Sequence, residues 1–581
     1  MTIAMKQPGK KYASTTGSPP AGIDSSPFSL AGIVSLAALL IALCLYAPAL
    51  RGAFIFDDLS LPFALGTRDT PLAGWLSGVR PVLMLSYWMN ARIWGYDPLG
   101  FHALNLVIHA LNTGLVFLVL HRLLTKAQWT AEKANLASLA GAGIFLIHPL
   151  QTESVSYVAG RSESLLSLFV LLAYVIFLYR RHVSISWLEA VSVLTVFAIA
   201  IGTKENAVSL AGILLLTDLF WPTPFSLRGI KSNWRLYLLM LPGVVIAAAA
   251  VFRLLATAQT AGFSSATVRW YQYGFTEARA IFSYLRLTLL PIGQSIDHDY
   301  PTSYTIAQHG AFVCLIVLAA LLIGCVVWRR RYPLSCFGLL MFLIFLAPTS
   351  SIVPIDDSLV ERRMYLPILG LILIGCEVMS HFSRRTACCV LSLAALLFGT
   401  LCYTRNQLWG KPEKLLEFAA EQSVYNPRPM LNFTGILIRH DRCALALPYL
   451  ERAERRLPDN YYVHAAWGRT LACLGRYPEA MDRLRRAARL QPCAQVYEWM
   501  GLVYGQMRLP DESRRALQKA VELAPDSQSA HGSLALCYEE VKDFSAAEQE
   551  YRRALTLNRN DLWAQTGLVR VHTAKLVASR P

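Results

Sequence analysis

Charged residues are scarce in this sequence. They make up 16% of its 581 residues, while hydrophobic residues make up 54%. A soluble globular protein carries about a quarter charged residues. The shortage of charge therefore excludes an ordinary soluble protein and predicts a polytopic membrane protein.

Cysteine motifs are also lacking. The twelve cysteines are scattered, without a CxxC pair and without the spacing of zinc ligands, so the sequence predicts no zinc site. Most of them lie in or beside apolar runs, where they are expected as small core residues. Four lie in the C-terminal region, where a disulfide and buried free thiols both stay open: Cys443, Cys473, Cys493 and Cys537.

Acidic residues are outnumbered by basic ones, 38 to 54, which gives a net charge of +16. The basic residues stand in short clusters between apolar runs and on polar helix faces, not in one continuous patch. This distribution argues against nucleic acid as a partner and indicates the positive-inside signal of membrane proteins.

The long apolar runs predict about eleven membrane spans. The predicted spans are 28–50, 103–121, 136–147, 164–179, 186–202, 206–220, 236–255, 309–328, 334–348, 364–380 and 386–402. If they alternate, the basic clusters all fall on one side, which is the cytoplasm. The N-terminus is then cytoplasmic, and the C-terminus lies on the opposite side.

Two segments beside these spans have their own interpretation. Residues 1–27 are predicted to be a disordered basic cytoplasmic tail, and the span after them is expected as an uncleaved anchor because it has no clear small-residue cleavage site. The stretch Glu277 to Leu290 contains two arginines. We expect it to be an interfacial amphipathic helix or a re-entrant helix within the outer loop 256–306.

The unusual polar stretches all fall on the outer face in this topology. They are 56–58, 80–81, His102 with Asn105 and His109, 148–153, 160–163, 203–206, 297–301 and 361–367. Chance would scatter such stretches over both faces. Their convergence on one side predicts an active cavity there.

The stretch Phe54 to Asp58 follows the first span directly and ends in two adjacent carboxylates. Carboxylates at the mouth of a membrane helix are costly, and they are usually functional when they occur. Asp57 and Asp58 are therefore candidates for a general base at the membrane surface. A solvated loop that follows an anchor is the alternative.

A repeat with a period of about 34 residues begins beyond Arg405, where the composition becomes charged and helical. Small or apolar residues recur at Ala446, Ala480, Ser513 and Ala547, and again at Ala453, Ala487, Ala520 and Ala554. The pattern predicts a tetratricopeptide array of about four repeats over 406–581, with a capping helix from Asp561 to Lys575. Such arrays bind peptides or proteins in a concave groove; a lid or a dimer contact is the alternative.

The outer charged residues suit one chemistry. Transfer of a sugar from a polyprenyl phosphate requires a base for the acceptor hydroxyl, cations for the leaving phosphate and an apolar groove for the lipid. Asp57 or Asp58 can supply the base. The candidate cations for the donor phosphate are Arg161, Lys204 and Arg362.

Each of these cations has an alternative role in a local ion pair or in snorkelling at the interface. The alternative pairs are Arg161 with Glu163 or Glu153, Lys204 with Glu205, and Arg362 with Glu361 or Asp357. Other candidates for the cavity are Arg80, His102, Glu153, Glu205, Asp297, Glu361 and Tyr365. Asp297 and Asp299 either line the acceptor entrance or only cap their loop.

Metal binding is the less favoured interpretation of these side chains. His102 and His109 lie seven residues apart on one helix face, and without a third ligand they are expected to be hydrogen-bonded packing histidines. No cofactor is required. A divalent cation, Mg²⁺ or Mn²⁺, bound by Asp57 and Asp58 is the alternative.

Several of these motifs together resemble the transmembrane and tetratricopeptide-repeat-containing O-mannosyltransferases. The motifs are Phe54-x-Phe56-Asp57-Asp58, Arg80 to Tyr87, Phe101 to His109, His148 to Glu153, Gly160-Arg161, Lys204-Glu205, Glu361-Arg362 and Tyr365-Leu366-Pro367. With the repeats, they cover nearly the whole chain in order. The stretch Gln294 to Pro301 is similar to a motif of bacterial members.

The resemblance implies an all-α fold, with a polytopic GT-C helical bundle over 28–405 followed by the tetratricopeptide α-solenoid. It also implies an inverting transfer from a lipid-phosphate sugar and a catalytic acid in the first outer loop. In relatives with Asp-Glu at this position the first acid is catalytic, which favours Asp57 over Asp58. Animal members of the family modify serine or threonine of proteins.

The leading hypothesis is a transferase of a bacterial inner membrane. It moves a sugar from a polyprenyl phosphate to a protein hydroxyl on the periplasmic face, while the repeats help to bind the acceptor protein. A second hypothesis sends the sugar to a lipid or a surface polysaccharide. A third is a membrane scaffold without enzymatic activity that displays the repeats.

Overall fold

The computed structural model describes residues 26–61, 71–76, 78–182, 184–221, 225–257, 268–351, 353–355, 357–424, 426–557 and 561–578. In this part of the chain every regular element is a helix, so the predicted all-α fold class is confirmed. Most of the predicted N-terminal tail, residues 1–25, lies outside the described residues.

In the described part of the chain, sixteen α-helices precede the repeats. They are α1 (Pro27–Tyr46), α2 (Leu72–Leu76), α3 (Pro81–Trp94), α4 (Pro98–Lys126), α5 (Ala131–Ile147), α6 (Thr152–Ser156), α7 (Arg161–Leu178), α8 (Trp187–Thr203), α9 (Ser209–Phe220), α10 (Arg228–Ser232), α11 (Trp234–Thr257), α12 (Trp270–Leu289), α13 (Ala311–Trp328), α14 (Pro333–Leu346), α15 (Ile368–Met379) and α16 (Arg384–Trp409).

Five helices of the described chain are long and apolar enough to cross a membrane: α1, α4, α7, α13 with the turn before it, and α16. Shorter apolar helices are α8, the first half of α11, α14 and α15. The predicted spans 136–147 and 206–220 correspond to α5 and α9, which fall in neither group. The predicted count of about eleven spans is therefore not confirmed.

The helical bundle has a buried centre and an apolar outside. Most of α4 and α7 is buried, and α4 packs against α1, α5 and α7. In contrast, α1, α13 and α16 leave most of their apolar side chains exposed. In a membrane protein such faces contact lipid, because an apolar surface has no cost there.

Two glycines permit a close contact between α14 and α15. Gly338 of α14 and Gly370 of α15 face each other, and a side chain at either position would overlap the carbonyl oxygen of the other. Small residues of this kind let membrane helices pack backbone to backbone. This contact fixes α15, and the polar turn that precedes it, on the bundle.

The predicted amphipathic stretch after residue 277 is part of α12, which already begins at Trp270. One face of α12 packs on the bundle through residues such as Tyr273, Glu277 and Ile281. The helix is continuous and is not among the candidate spans. Its amphipathic pattern agrees with the interfacial alternative, and its continuity does not fit a re-entrant turn.

The C-terminal helices are α17 (Pro412–Gln422), α18 (Arg428–Arg439), α19 (Leu447–Arg456), α20 (Tyr461–Cys473), α21 (Tyr477–Leu490), α22 (Ala494–Gln506), α23 (Pro510–Leu523), α24 (Gln528–Glu540), α25 (Phe544–Leu557) and α26 (Leu562–Ala578). From α18 to α25 they form helix pairs, and α26 packs on α25 as the predicted capping helix. Small residues of the repeats pack against a large side chain of the next helix: Gly468 faces Leu484, and Gly501 faces Leu517.

The structure adds two details to the prediction for this region, namely where α16 ends and which cysteines are bonded. The predicted boundary at Arg405 falls within α16, which continues to Trp409, so the membrane domain ends at the turn after that residue. A disulfide joins Cys443 to Cys473, whereas Cys493 and Cys537 are free. The bridge ties the end of α20 to the start of the turn before α19.

Candidate active site

The two adjacent carboxylates of the first outer loop lie in different environments. The loop forms a short 3-10 helix, Phe56–Ser60, which starts with a positive φ of 47° at Phe56. The backbone N–H of Asp57 donates to the hydroxyl of Tyr157 at 2.8 Å. The Asp57 side chain is exposed, whereas Asp58 is only 1% exposed.

The carboxylate of Asp58 is held by hydrogen bonds within the protein. One carboxylate oxygen accepts the N–H of Ile55 at 3.1 Å, and the other accepts the N–H of Ala159 at 2.7 Å. Burial raises the pKa of Asp58 to about 7, against the opposite effect of these two hydrogen bonds. Asp58 thus fastens the loop to the segment before α7 and leaves Asp57 as the carboxylate that faces outward.

Arg362 lies next to this loop and is paired with a different partner from those predicted. Its guanidinium donates to Glu153 at 2.6 Å, and its backbone N–H donates to the same carboxylate at 2.9 Å. The guanidinium carbon lies 5.9 Å from the centre of the Tyr157 ring. Tyr157 therefore stands between the Asp57 backbone and the Arg362 cation.

Lys204 and Arg80 extend the charged cluster. Lys204, at the end of α8, contacts Glu163 at 2.5 Å, not the predicted Glu205. Glu205 instead accepts from the Nε of Arg80 at 3.0 Å. Burial lowers the pKa of Lys204 against the opposite effect of Glu163, and the positive charges of Arg80 and Arg362 lower it further, so both arginines lie within electrostatic reach of Lys204.

Arg161 does not belong to this cluster, although the sequence predicted it as a phosphate ligand. It is fully buried, and its guanidinium lies over the ring of Tyr87 at 4.6 Å. Its nitrogens donate to Asn105 at 2.7 Å and to Asn90 at 2.8 Å. Arg161 joins α3, α4 and α7, and no alternative pair with Glu163 or Glu153 forms among the described residues.

Three other residues of the predicted polar stretches, His102, His109 and Tyr365, are packed inside the protein. His102 Nε2 contacts the carbonyl of Gly52 at 3.1 Å. The Nδ1 of His109 contacts the hydroxyl of Tyr365 at 2.8 Å, and its Nε2 lies 3.0 Å from the carbonyl of Leu146. Both histidines make hydrogen bonds to the protein, as packing residues do, and Tyr365 is buried beside His109.

Glu361 organises the outer loop that follows α12. It is buried, and its carboxylate accepts from the backbone of Ser295 at 2.8 Å and from Gln294 at 2.6 Å. His298 contacts the same carboxylate at 2.8 Å. With three partners inside the protein, Glu361 holds the loop and is not directed at a ligand.

Asp297 and Asp299 connect this outer loop to the first repeat. Asp297 accepts from Arg428 at 2.8 Å, and Asp299 accepts the backbone N–H of Asn426 at 2.7 Å. Asp357 also pairs with Arg428, at 2.7 Å. The two aspartates therefore neither line an open entrance nor only cap their loop.

Sequence reasoning missed two residues near the end of α16, one aromatic and one cationic. The Trp409 ring stacks on Tyr157 at 5.9 Å. One turn earlier, Arg405 is 6% exposed, its Nε has no hydrogen-bond partner, and it forms no ion pair within the described chain. Phe56 packs against the core of the first repeats. The signal available in the sequence was a cationic and aromatic end on the last apolar run.

A divalent cation at the two aspartates stays a prediction. Each oxygen of Asp58 accepts one backbone N–H group, which uses two of the roughly four acceptor sites of a carboxylate. The described residues contain no group of three or more His, Cys, Asp and Glu side chains arranged around one point. We therefore derive no chemistry from a metal at this position.

Comparison with known proteins gives relatives for both parts of the chain. A tetratricopeptide repeat model matches residues 500–561. Over 611 residues the chain is 24% identical to protein O-mannosyl-transferase TMTC3 of Mus musculus. The alignment covers 92% of this chain and 65% of that protein. The human TMTC3 is 23% identical to this chain. The alignment covers 85% of this chain and 59% of the human protein.

Over most of its length the chain is thus similar to proteins named protein O-mannosyl-transferase. A further O-mannosyltransferase relative, Tmtc1 of Drosophila melanogaster, is 32% identical over 211 residues, which are 33% of this chain and 23% of that protein. The chain spans less than two thirds of the length of each of these relatives. Together, the apolar helices and the O-mannosyltransferase relatives identify an integral membrane protein.

Solved structures are similar to the repeats. The tetratricopeptide repeat protein TTC0263 of Thermus thermophilus is 21% identical, with a TM-score of 0.26, and covers 32% of this chain and 96% of that chain. YrrB, described as a tetratricopeptide repeat protein with an unusual peptide-binding site, is 19% identical, with a TM-score of 0.23, and covers 28% of this chain and 83% of that chain.

Proposed function

We propose that this chain is a membrane glycosyltransferase that moves a sugar from a polyprenyl-phosphate donor to a serine or threonine hydroxyl of a protein. The observation that carries the proposal is the exposed carboxylate of Asp57 beside a cluster of cations at one end of the helical bundle. The relatives are named protein O-mannosyl-transferases, so mannose is the first sugar to test.

Asp57 is the general base of this proposal. Its side chain is exposed, while the buried carboxylate of Asp58 is held by two backbone N–H groups. A carboxylate that reaches the acceptor hydroxyl removes its proton as the oxygen attacks the anomeric carbon. The bond between that carbon and the phosphate oxygen breaks on the opposite side, which inverts the configuration.

Arg362 and Lys204 hold the departing phosphate. The developing negative charge requires fixed cations in a site with little water, where their effect is greatest. Arg362 is partly exposed beside Tyr157, and Lys204 lies within its electrostatic reach. Their partners Glu153 and Glu163 keep both cations in place before the donor binds. Arg80 adds positive charge to the same region.

The repeats help to bind the acceptor protein. Tetratricopeptide arrays bind peptides in their concave groove. Here the first repeat is docked on the outer loop through Arg428, and Phe56, the neighbour of Asp57, packs against the repeat core. A protein segment that leaves the groove can then reach the base without a large movement.

The site and the repeats lie on the periplasmic face of a bacterial inner membrane in this proposal. The basic clusters support the opposite, cytoplasmic position of the other loops. The disulfide between Cys443 and Cys473 supports an oxidising compartment for the repeats.

An in vitro transfer assay tests the proposal. The purified full-length chain is given mannosyl-phosphoryl-polyprenol and a serine- and threonine-rich protein, and the product is measured by intact mass. Asp57→Asn should lower kcat by roughly 10²-fold or more without changing the thermal unfolding temperature. Glu132→Gln, a change of an exposed side chain at the far end of α5, is the control and should keep full activity. Full activity of Asp57→Asn would overturn the assignment, and transfer to lipid alone would overturn the protein acceptor.

A further inference from the structure

A cavity lies apart from the charged cluster, between α12, the first turns of α13 and the segment that follows α14. Its volume is about 450 Å³, and its lining is mostly apolar. The side chains that line it include Trp270, Tyr271, Phe275, Ile281, Leu315 and Leu318. A volume of this size accepts a small headgroup with part of its chain.

A carboxyl group without a hydrogen bond lies in this cavity. Glu277 is 1% exposed, and neither of its oxygens has a hydrogen-bond partner among the described residues. Ser350 and Tyr273 stand beside it, but neither hydroxyl meets it in hydrogen-bonding geometry, and Tyr273 donates to the carbonyl of Thr349 at 2.9 Å instead. The hydroxyl of Ser350 is itself without a partner.

The nearest cation does not satisfy this carboxyl. Arg363 acts on Glu277 through space, but the two form no ion pair. The guanidinium donates to the carbonyl oxygens of Asp357 at 2.6 Å and of Ser358 at 3.4 Å. Burial raises the pKa of Glu277 to about 7. A buried carboxyl that lacks partners is costly, so this position favours a ligand that supplies N–H donors.

The aromatic lining favours a cationic donor. The rings of Trp270 and Tyr271 lie 5.7 Å apart, and those of Tyr271 and Phe275 lie 6.0 Å apart. The faces of such rings attract ammonium groups, and a carboxylate adds charge-assisted hydrogen bonds. A primary ammonium group fits a cavity that is lined by both aromatic rings and a carboxyl without partners.

The position of the cavity indicates which kind of molecule carries this ammonium group. The amphipathic helix α12 lies beside α13, whose apolar face is mostly exposed and contacts lipid. A ligand can enter from the lipid side, where its acyl chains stay in the bilayer. We propose that the cavity binds the headgroup of an ammonium-bearing phospholipid of the phosphatidylethanolamine class, with Glu277 as the residue that recognises it.

Lipid binding can be counted directly. The full-length chain is reconstituted in phosphatidylcholine nanodiscs that contain rising fractions of phosphatidylethanolamine or phosphatidylglycerol, and native mass spectrometry after release measures the retained lipids. The wild-type chain should retain phosphatidylethanolamine in preference to the other two. Glu277→Gln should weaken this retention about tenfold, while Glu132→Gln should leave it unchanged.

A second variant keeps the test valid if Glu277→Gln does not stay monodisperse. Leu318→Trp fills the cavity and leaves the carboxyl in place, so it should abolish the same retention. Equal retention of phosphatidylethanolamine by the wild-type chain and both variants would overturn the proposal. A preference of the wild-type chain for phosphatidylglycerol, or for no lipid, would also overturn it. Because the readout is bound lipid, the result is independent of the proposed transferase activity.

Discussion

Arg428, at the start of the first repeat, donates through its Nε to Asp297 of the membrane domain at 2.8 Å, and a second guanidinium nitrogen donates to the same carboxylate. The paired geometry is the strongest form of this contact. Because Asp297 belongs to the loop that Glu361 holds, the repeats are fixed on the membrane domain beside the candidate base.

Arg428→Ala should loosen this docking. We expect faster proteolysis of the turn after Trp409 and an acceptor KM raised roughly threefold to tenfold, since two of the contacts between the domains are lost. Kinetics with a protein acceptor and limited proteolysis measure the two effects. Arg514→Ala, which removes an exposed pair with Asp511 inside α23, is the matched control and should change neither. Unchanged kinetics in both variants would show that the docking does not serve the acceptor.

Asp58→Asn should mainly affect stability. It replaces one of two buried acceptors by a donor that faces a backbone N–H, and we expect a loss of about 1–3 kcal/mol in the free energy of unfolding. The measurement is thermal unfolding in detergent, with Glu132→Gln as the control. An unchanged unfolding temperature, together with a complete loss of turnover, would instead move the catalytic role to Asp58.

The stability contribution of Asp58 should depend on pH. Its pKa is raised from 3.8 to about 7 in the folded chain, so the folded state binds more protons than the unfolded state between these values. The free energy of unfolding should therefore fall as pH rises through this window. The fall should be smaller in Asp58→Asn, which has no carboxyl to titrate at this position. Parallel profiles for the two proteins would contradict the assignment.

Arg362→Met and Glu153→Gln break the same ion pair from opposite sides. If Arg362 holds the donor phosphate, Arg362→Met should lower kcat by about 10²-fold, the usual cost of losing a charge stabiliser. Glu153→Gln keeps the cation and should retain much more activity. Initial rates at saturating donor distinguish the two. Equal losses in both variants would indicate that the pair is only structural.

The bridge between Cys443 and Cys473 predicts the redox state of the cysteines in the repeats. Alkylation under denaturing, non-reducing conditions should leave these two cysteines unlabelled, while Cys493 and Cys537 should be labelled. Peptide mass spectrometry reads the result for each residue. Labelling of all four in protein from intact membranes would contradict an oxidising compartment.

The repeat architecture was predictable because its period is carried by local packing. A small residue at Gly468 or Gly501 has to face a leucine of the next helix, and such a rule repeats visibly along the chain. Some of the polar stretches that the predicted topology places on one side also meet in the structure, as the pairs Lys204–Glu163 and Arg362–Glu153 show.

The partners of individual charges were not predictable. Sequence neighbours suggested Glu205 for Lys204 and Glu361 for Arg362, but the observed partners are Glu163 and Glu153, which lie far away in the chain. Arg161 likewise binds asparagines from two other helices. Long charged side chains pair with the partners that helix packing brings close. The spacing of residues along the sequence does not predict how the helices of this bundle pack.

The most direct test of the account is the intact mass of envelope proteins from cells with the chain, without it, and with Asp57→Asn in its place. The account predicts a secreted or envelope protein that is lighter by one or more hexose units in the absence of the chain. The same loss should appear with Asp57→Asn, while Glu132→Gln restores the mass. Full modification in the Asp57→Asn cells, or a change confined to glycolipid or polysaccharide, would contradict it.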